Sequence, residues 1–572
     1  MGWRRRLSLH AGPLIGLFLG GLALWPVLSR RGYVLVGDMV FLPHPPLSRS
    51  LLGLSGAPPR AVPSDLLAAG LGQLLPGDVV QKLALLAVFV LAAAGGARLL
   101  AGCPLGARAT GATLLAWNPY VAERLALGQW AVLLGYAALP WVLIAAARLR
   151  GDGRGAWPVL LLSLALAALT PSGGLVAVGA ALLVLTCGRA PAWRPAGLLL
   201  AAGLVLNGPW LAPALLRPTG LPALPTGVDA FAARADTPLG VLGSLGSLGG
   251  IWAPAAVPPG RSAGGLVPVA LLLLAGVVAG CLLLLRGRAP LWPTPAAIGL
   301  VAAAGVALTV AAAGALPGSR ELLRSLVRVV PEAGLLRDGP RHLGPLAVLE
   351  AAALGLAAQA LSERLPGLRR SFAGLAAAVP VLLLPGLALG ISGRIHPVQY
   401  PPEWARARQI VDADPAAGAL LALPWSTYRA PRWNGGRTVL DPAGKAFARR
   451  VVADDRLRLG TLVVAGEDPL AARLEPVATG SGSLLAAGPL GIRWVLVERG
   501  AAPDPDSPAA GRLVGARLRL DTAVLGLWQL PGSAVRSERT PPAAPVVAAD
   551  LAAAVLVLLA GGAWLRRRAR DR

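Results

Sequence analysis

The hydrophobic positions of this 572-residue chain fall in long unbroken runs, without the alternation of a half-buried strand or the narrow stripe of a surface helix. Apolar windows lie near 7–28, 80–100, 104–118, 129–148, 157–171, 174–187, 195–215, 265–285, 292–314, 344–362, 371–391 and 548–565. A hydrocarbon core of about 30 Å takes about 20 such residues in a helix. The pattern therefore predicts an α-helical polytopic membrane protein of about 12 spans, or about 10 if the short pair around "TPSGG" is a re-entrant hairpin. The window 104–118 is the other short one. After residue 391 the pattern changes. Between 392 and 545, brief apolar runs ("GALLALPW", "RWVLVERG", "AVLGLWQL") alternate with polar and Pro/Gly-rich stretches, which predicts strands. A block of that length is a domain. The expected organisation is a membrane domain over 1–391, a C-terminal-side extracytoplasmic α/β domain over 392–545, and a final span with a basic tail over 546–572. No repeat of fixed period is visible.

Charge orients this arrangement. The chain is 55% hydrophobic and 14% charged, with a net charge of +25, and its only lysines are Lys82 and Lys445. So much positive charge raises the question of nucleic acid. The arginines, however, sit in short clusters between apolar runs, where they set topology, and a nucleic-acid partner is excluded on that ground. Starting inside with Arg4, Arg5 and Arg6, the span count places "GARATG", "RLRGDGRG", "CGRAPAWR", "RGR", "SERLPGLRR" and "RRRARDR" on the cytoplasmic side. Both termini are then cytoplasmic and the protein is multi-pass in the plasma membrane. The first run has a basic head but no small-x-small site before Arg30, so it reads as a retained span. Cys103, Cys187 and Cys281 fall at cytoplasmic ends, which leaves no disulfide framework outside.

Candidate chemistry gathers in the outer loops, 29–79 and 315–343. Asp38, in "VGDMVF", is a carboxylate beside the bilayer, either an interfacial or capping acid or a functional one. Asp65 reads as the N-cap of a surface helix, with Ser64 competing. The second loop breaks the expectation that short outer loops are poor in arginine. Arg320, Arg324 and Arg328 recur every fourth residue and line one helical face, opposite Leu322, Leu323, Leu326 and Val327. Such a row suits a phosphate or diphosphate, or anionic lipid headgroups. In "LLRDGPRH", Arg337, Asp338, Arg341 and His342 crowd a Gly-Pro turn able to aim polar groups inward. In "WNPYVAERLALGQW", Glu123 and Arg124 point in different directions on a helix, and the stretch reads mainly as an aromatic belt with two solvated charges. In the exported block, Trp404, Trp425, Tyr428 and Trp433 are candidate stacking platforms or core aromatics. Four histidines and no exported cysteine leave neither a multi-His zinc site nor a Cys-His nucleophile. The window centres hold essentially no acids, which counts against ion-driven transport.

Taken together, "VGDMVF", "NPYVAERLALGQW", "LLRDGPRH" and "LPWSTYRAPRWNGGRTVLDPAGKAFARRVV" resemble multi-span actinobacterial membrane proteins of the GT-C class, the arabinofuranosyl- and mannosyltransferase-like glycosyltransferases. The resemblance implies transfer of a sugar from a lipid-linked polyprenyl-phosphate donor to an envelope glycan or lipid acceptor on the outer face, with an acid of the first outer loop as general base. Asp38 is the matching position, although the family often has two adjacent acids there and this chain has one. The arginines and His342 would hold the donor phosphate, with Glu123, Arg124 and Asp338 in support, and Trp425, Tyr428 and Trp433 would meet the acceptor. No cofactor is implied for certain, and a divalent cation bridging phosphate and Asp38 is left open. Two other readings remain. One is a lipid or glycolipid transporter with helices broken at "LTPSGGLVAVG" and "LVLNGPWLAPALL". The other is a non-catalytic envelope assembly protein.

Overall fold

The computed structural model describes residues 2–151, 153–220, 224–503, 508–532 and 538–570. Asp571 and Arg572 of the basic tail lie outside it. All twelve apolar windows are helical: Gly2–Leu28, Gly77–Leu99, Leu105–Ala116, Trp130–Leu149, Trp157–Ala167, Pro171–Thr186, Trp193–Leu215, Val267–Leu285, Thr294–Ala313, Gly344–Arg364, Arg369–Leu383 and Ala543–Arg570. Among the described residues, eight helices are long and apolar enough to cross a membrane. A ninth joins them if Ser371–Leu383 and Pro385–Ser392, bent by 63°, count as one. The remaining windows are shorter helices of 12, 11 and 16 residues. At 1.5 Å per residue the 11- and 12-residue helices reach only about 18 Å, short of the hydrocarbon thickness. "TPSGG" is a true break, because Thr170 caps the helix that begins at Pro171. "LVLNGPWLAPALL" is not, since Trp193–Leu215 runs through Pro209 and Pro213.

Small residues let these helices approach. Gly12, Gly16 and Gly20 form a stripe at four-residue spacing on the first helix. A Cβ at Gly12 would stand 2.8 Å from the Ala94 backbone, and one at Gly16 2.6 Å from that of Val90. Between helices in lipid, where no hydrophobic effect draws them together, such close packing supplies the association energy. Trp130–Leu149 is buried along nearly its whole length, while Val267–Leu285 and Ala543–Arg570 expose large leucines such as Leu272 and Leu558. Trp130–Leu149 is thus a central post and the other two present their apolar side chains outward. One sequence reading needs correction here: the apolar helices do contain acids. Glu350 is buried within Gly344–Arg364, and Asp550 lies in Ala543–Arg570 with its Oδ2 buried and without a hydrogen-bond partner among the described residues. A window average conceals a single carboxylate.

The strand-like runs form the centre of a five-stranded mixed sheet. Its order is Val451–Val452, Ala419–Leu423, Ile492–Glu498, Leu525–Gln529, Arg517–Asp521. The first three strands are parallel and the last two pair antiparallel. Ala419–Leu423 is buried throughout, as a continuous apolar run in a parallel strand must be. Helices Glu403–Asp412 and Pro469–Thr479 accompany the sheet.

This region is seated on the first loop of the chain. Tyr33 and Val398 exchange backbone hydrogen bonds of 2.8 and 2.9 Å; Gly37 N donates to Thr438 O, and Leu440 N donates back to Gly37 O. Asn434 Nδ2 donates to Leu35 O at 3.1 Å. Asp65 takes part as well, which corrects its reading as a cap: the helix Ser64–Leu71 has no side-chain cap, and Asp65 instead accepts from Lys445 Nζ at 2.8 Å.

Candidate functional site

Asp38 is held by backbone on two sides. Its N–H donates to Leu127 O at 2.9 Å, and the preceding Gly37 is paired with the segment at Val439. Gly37 has φ +51°, and a Cβ there would lie 2.1 Å from Leu127 O. Only glycine permits that approach, so it sets where the carboxylate stands. Asp38 itself is half-buried. Oδ1 accepts from the Tyr428 hydroxyl at 2.5 Å, and Oδ2 accepts from Gln129 Nε2 at 3.1 Å.

From Gln129 the network continues inward. Its Oε1 accepts from Arg124 Nη1 at 2.9 Å, and Arg124 forks onto Asp338, Nη1 to Oδ2 at 3.0 Å and Nη2 to Oδ1 at 3.1 Å. Arg341 Nε lies 3.1 Å from Asp338 Oδ2. Tyr120 donates to Arg341 O at 2.8 Å and lies under the Arg124 guanidinium, 5.6 Å from ring centre to Cζ. Asp38 is thereby joined to the "LLRDGPRH" turn, 300 residues on, through two side chains of the "AERLALGQW" segment.

Local sequence explains the placement. Asn118 caps Pro119–Ala126 by accepting from Val121 N, and its Nδ2 donates to Tyr136 OH at 2.8 Å. The short helix turns back at Gly128, and Trp130 begins the central post. Glu123 and Arg124 are 2% and 1% exposed. The expectation of solvated charges is therefore corrected: both sit inside, Arg124 forked onto Asp338 and Glu123 beside Asp236. Trp117, Tyr120 and Trp130 are buried too, so they are interior residues of the bundle rather than a belt.

The charges follow from these contacts. Burial alone would raise the Asp338 carboxyl, but the Arg124 and Arg341 guanidinium groups outweigh it and hold Asp338 at about 2. Burial pushes His342 below its usual value, with the Asp338 charge opposing. Burial and the neighbouring Asp236 charge push Glu123 well above the carboxylate range. Asp236 remains ionised because Arg261 forks onto it, with both bonds 2.9 Å. The Tyr428 hydroxyl is raised by burial and by Asp38, so it stays a donor.

The other expected residues are distributed as follows. Arg337 is 3.9 Å from Glu467 and stacks over Phe231 at 5.3 Å. Arg320 donates to Gly314 O and Ala315 O. Arg324 pairs with Asp229 and Glu321, and Arg328 with Glu321. None of these three bonds to the Asp38 network among the described residues. On their helix, Pro317–Val329, Leu323 and Val327 turn inward onto Val228, while Leu322, Leu326 and Val329 are exposed. Trp433 donates to Glu498 at 2.9 Å and packs with Tyr400 and Trp404; Trp425 packs on the second core of the sheet region. Of the aromatic candidates, Tyr428 alone bonds to Asp38.

Sequence reasoning passed over Gln129, Arg60, Asp236 and Arg261. Gln129 did carry a signal, as the one amide between a turn glycine and the start of an apolar run. Arg60, which with Arg341 carries its charge toward Tyr428, stands in a loop with no distinguishing pattern.

No protein-family model matches this chain, and no curated protein matches it. Solved structures do. A cryo-EM structure of arabinofuranosyltransferase AftD from Mycobacteria superposes with a TM-score of 0.54 at 16% identity, covering 93% of this chain and 40% of that one. A mutant of the same enzyme gives 0.53 at 15% identity, covering 94% and 42%. This chain spans about two fifths of the length of those chains. The multi-pass helical architecture with its sheet region and final apolar helix is thus similar in fold to a mycobacterial arabinofuranosyltransferase.

Proposed function

We propose that the chain is a GT-C-like glycosyltransferase, moving a sugar from a polyprenyl-phosphate donor to a hydroxyl of an envelope glycan or lipid. Asp38 is the general base. It takes the proton of the acceptor hydroxyl as that oxygen bonds to the sugar's anomeric carbon and the carbon–phosphate oxygen bond breaks. Arg341, linked to Asp38 through Asp338, Arg124 and Gln129, and Arg337 of the same turn hold the phosphate as charge grows on the leaving oxygen. Arg320, Arg324, Arg328 and His342 belong to the same donor-gathering loop, and Arg124 and Asp338 fix the geometry from behind. Tyr428 and the residues around it meet the acceptor, with Trp425 and Trp433 shaping that side. The site faces outward, both termini are cytoplasmic, and residues 392–545 form an extracytoplasmic domain. Among the described residues no group of three or more His, Cys, Asp or Glu side chains is arranged around a metal position. A divalent cation bridging phosphate and Asp38 would take its other ligands from donor and water.

The observation that carries this reading is the continuous network from Asp38 through Gln129 and Arg124 to Asp338 and Arg341. A half-buried acid linked through a buried ion pair to the half-buried Arg341 supplies both kinds of group that glycosyl transfer to a hydroxyl requires. Asp38→Asn is expected to abolish transfer from a radiolabelled polyprenyl phosphosugar while leaving thermal unfolding unchanged. Full transfer by that variant removes Asp38 from the reaction. Movement of the labelled lipid across liposomes without any transfer would identify a transporter instead.

A further inference from the structure

At the opposite end of Trp130–Leu149 from Gln129, a cavity of about 290 Å³ opens between the first helix, Gly77–Leu99, Leu105–Ala116 and the turn after Arg148. Its walls are mostly apolar, with Trp141, Ile144 and Val159 among them, yet it is also lined by Arg98, Arg108 and Arg148. Arg567 of the last helix lies against Gly155 on its rim, where an added Cβ would overlap the guanidinium.

The charge here is unbalanced. Among the described residues none of Arg98, Arg108 and Arg148 forms an ion pair or donates a side-chain hydrogen bond. The charge of Arg98 acts on both of the others, and Arg108 Nε is buried without a partner. Among the described residues no carboxylate lines the cavity. Arg98 and Arg108, both half-buried, and the exposed Arg148 bring like charges to one partly apolar hollow, and the two half-buried ones are unfavourable there unless an anion completes them. Arginine forks suit phosphate oxygens, and the apolar wall suits the acyl region beside a headgroup. We infer that this cavity is a binding site for the phosphate headgroup of an anionic glycerophospholipid. The inference stands apart from the transfer chemistry, lying a helix length of about 30 Å from Asp38.

The test uses the purified full chain in dodecyl maltoside, with Tm read from tryptophan fluorescence. Dihexanoyl-phosphatidylglycerol, dihexanoyl-phosphatidylcholine and inorganic phosphate are titrated separately. A saturable rise of about 3 °C with phosphatidylglycerol alone is expected. The Arg98→Gln/Arg148→Gln double variant is expected to lose that rise, and Arg154→Gln, adjacent to the cavity but not lining it, to keep it. Should the double variant fail to fold, Arg108→Gln alone should weaken the phosphatidylglycerol response about tenfold in half-saturating concentration. An equal rise with inorganic phosphate overturns the lipid source. The site itself is overturned by no rise, by an equal rise with phosphatidylcholine, or by a rise that survives both arginine variants.

Discussion

The two ends of Trp130–Leu149 both gather arginines, and they treat them in opposite ways. At the Gln129 end each guanidinium meets an acid: Arg124 meets Asp338, Arg341 meets Asp338, and Arg261 meets Asp236. At the Arg148 end, Arg98, Arg108 and Arg148 meet none among the described residues. The first arrangement fixes side chains in advance, so a ligand there need not order them. The second leaves charge for an external anion to satisfy. Arginine content is therefore a poor guide to role, and the local balance of charge is the better one.

That contrast can be broken at several points. Arg124→Met leaves Asp338 buried without its fork and is expected to cost about 3–5 kcal/mol in denaturant unfolding. Arg148→Gln, by contrast, should change ligand-free stability by no more than about 0.5 kcal/mol. Equal losses from both would erase the distinction. Asp338 also gives a pH signature. Its folded value of about 2 lies below the ordinary 3.8, so its contribution is complete above about pH 4 and disappears as pH falls through 2. The unfolding midpoint of the native chain should drop across that window by more than that of Asp338→Asn, the difference amounting to about 2 kcal/mol. A parallel decline in both would place the titrating group elsewhere. Gly37→Ala forces a Cβ against Leu127 O and should cost about 1–2 kcal/mol, with loss of any Asp38-dependent activity. Lys445→Ala removes a largely shielded but peripheral ion pair with Asp65 and should cost about 1 kcal/mol or less.

Much of the fold was visible in hydrophobic patterning alone. Every apolar window is a helix, because runs this long have no other way to satisfy their backbone in lipid. The runs around Leu421, Val495 and Leu527 are strands, since each is short, apolar and bounded by turn residues. How many helices cross the membrane was less visible, because Leu105–Ala116 is apolar enough but too short. At the site, the sequence offered residue types without their pairings. Asp38, Arg341 and Asp338 stood out by breaking local rules of charge placement. Arg124 looked solvated because its partner lies 214 residues away, and no periodicity encodes such a contact. The Arg98, Arg108 and Arg148 cavity was hidden for a related reason: its members stand near the ends of three separate helices, and an arginine at the end of an apolar run reads as an ordinary topology signal.

The hydrogen bond between Tyr428 and Asp38 spans 390 residues of chain. During synthesis the loop carrying the acid emerges 390 residues before the hydroxyl that bonds to it. A nascent chain stalled between the two carries the carboxylate without that donor, so the contacts of Asp38 are complete only once Tyr428 has been made.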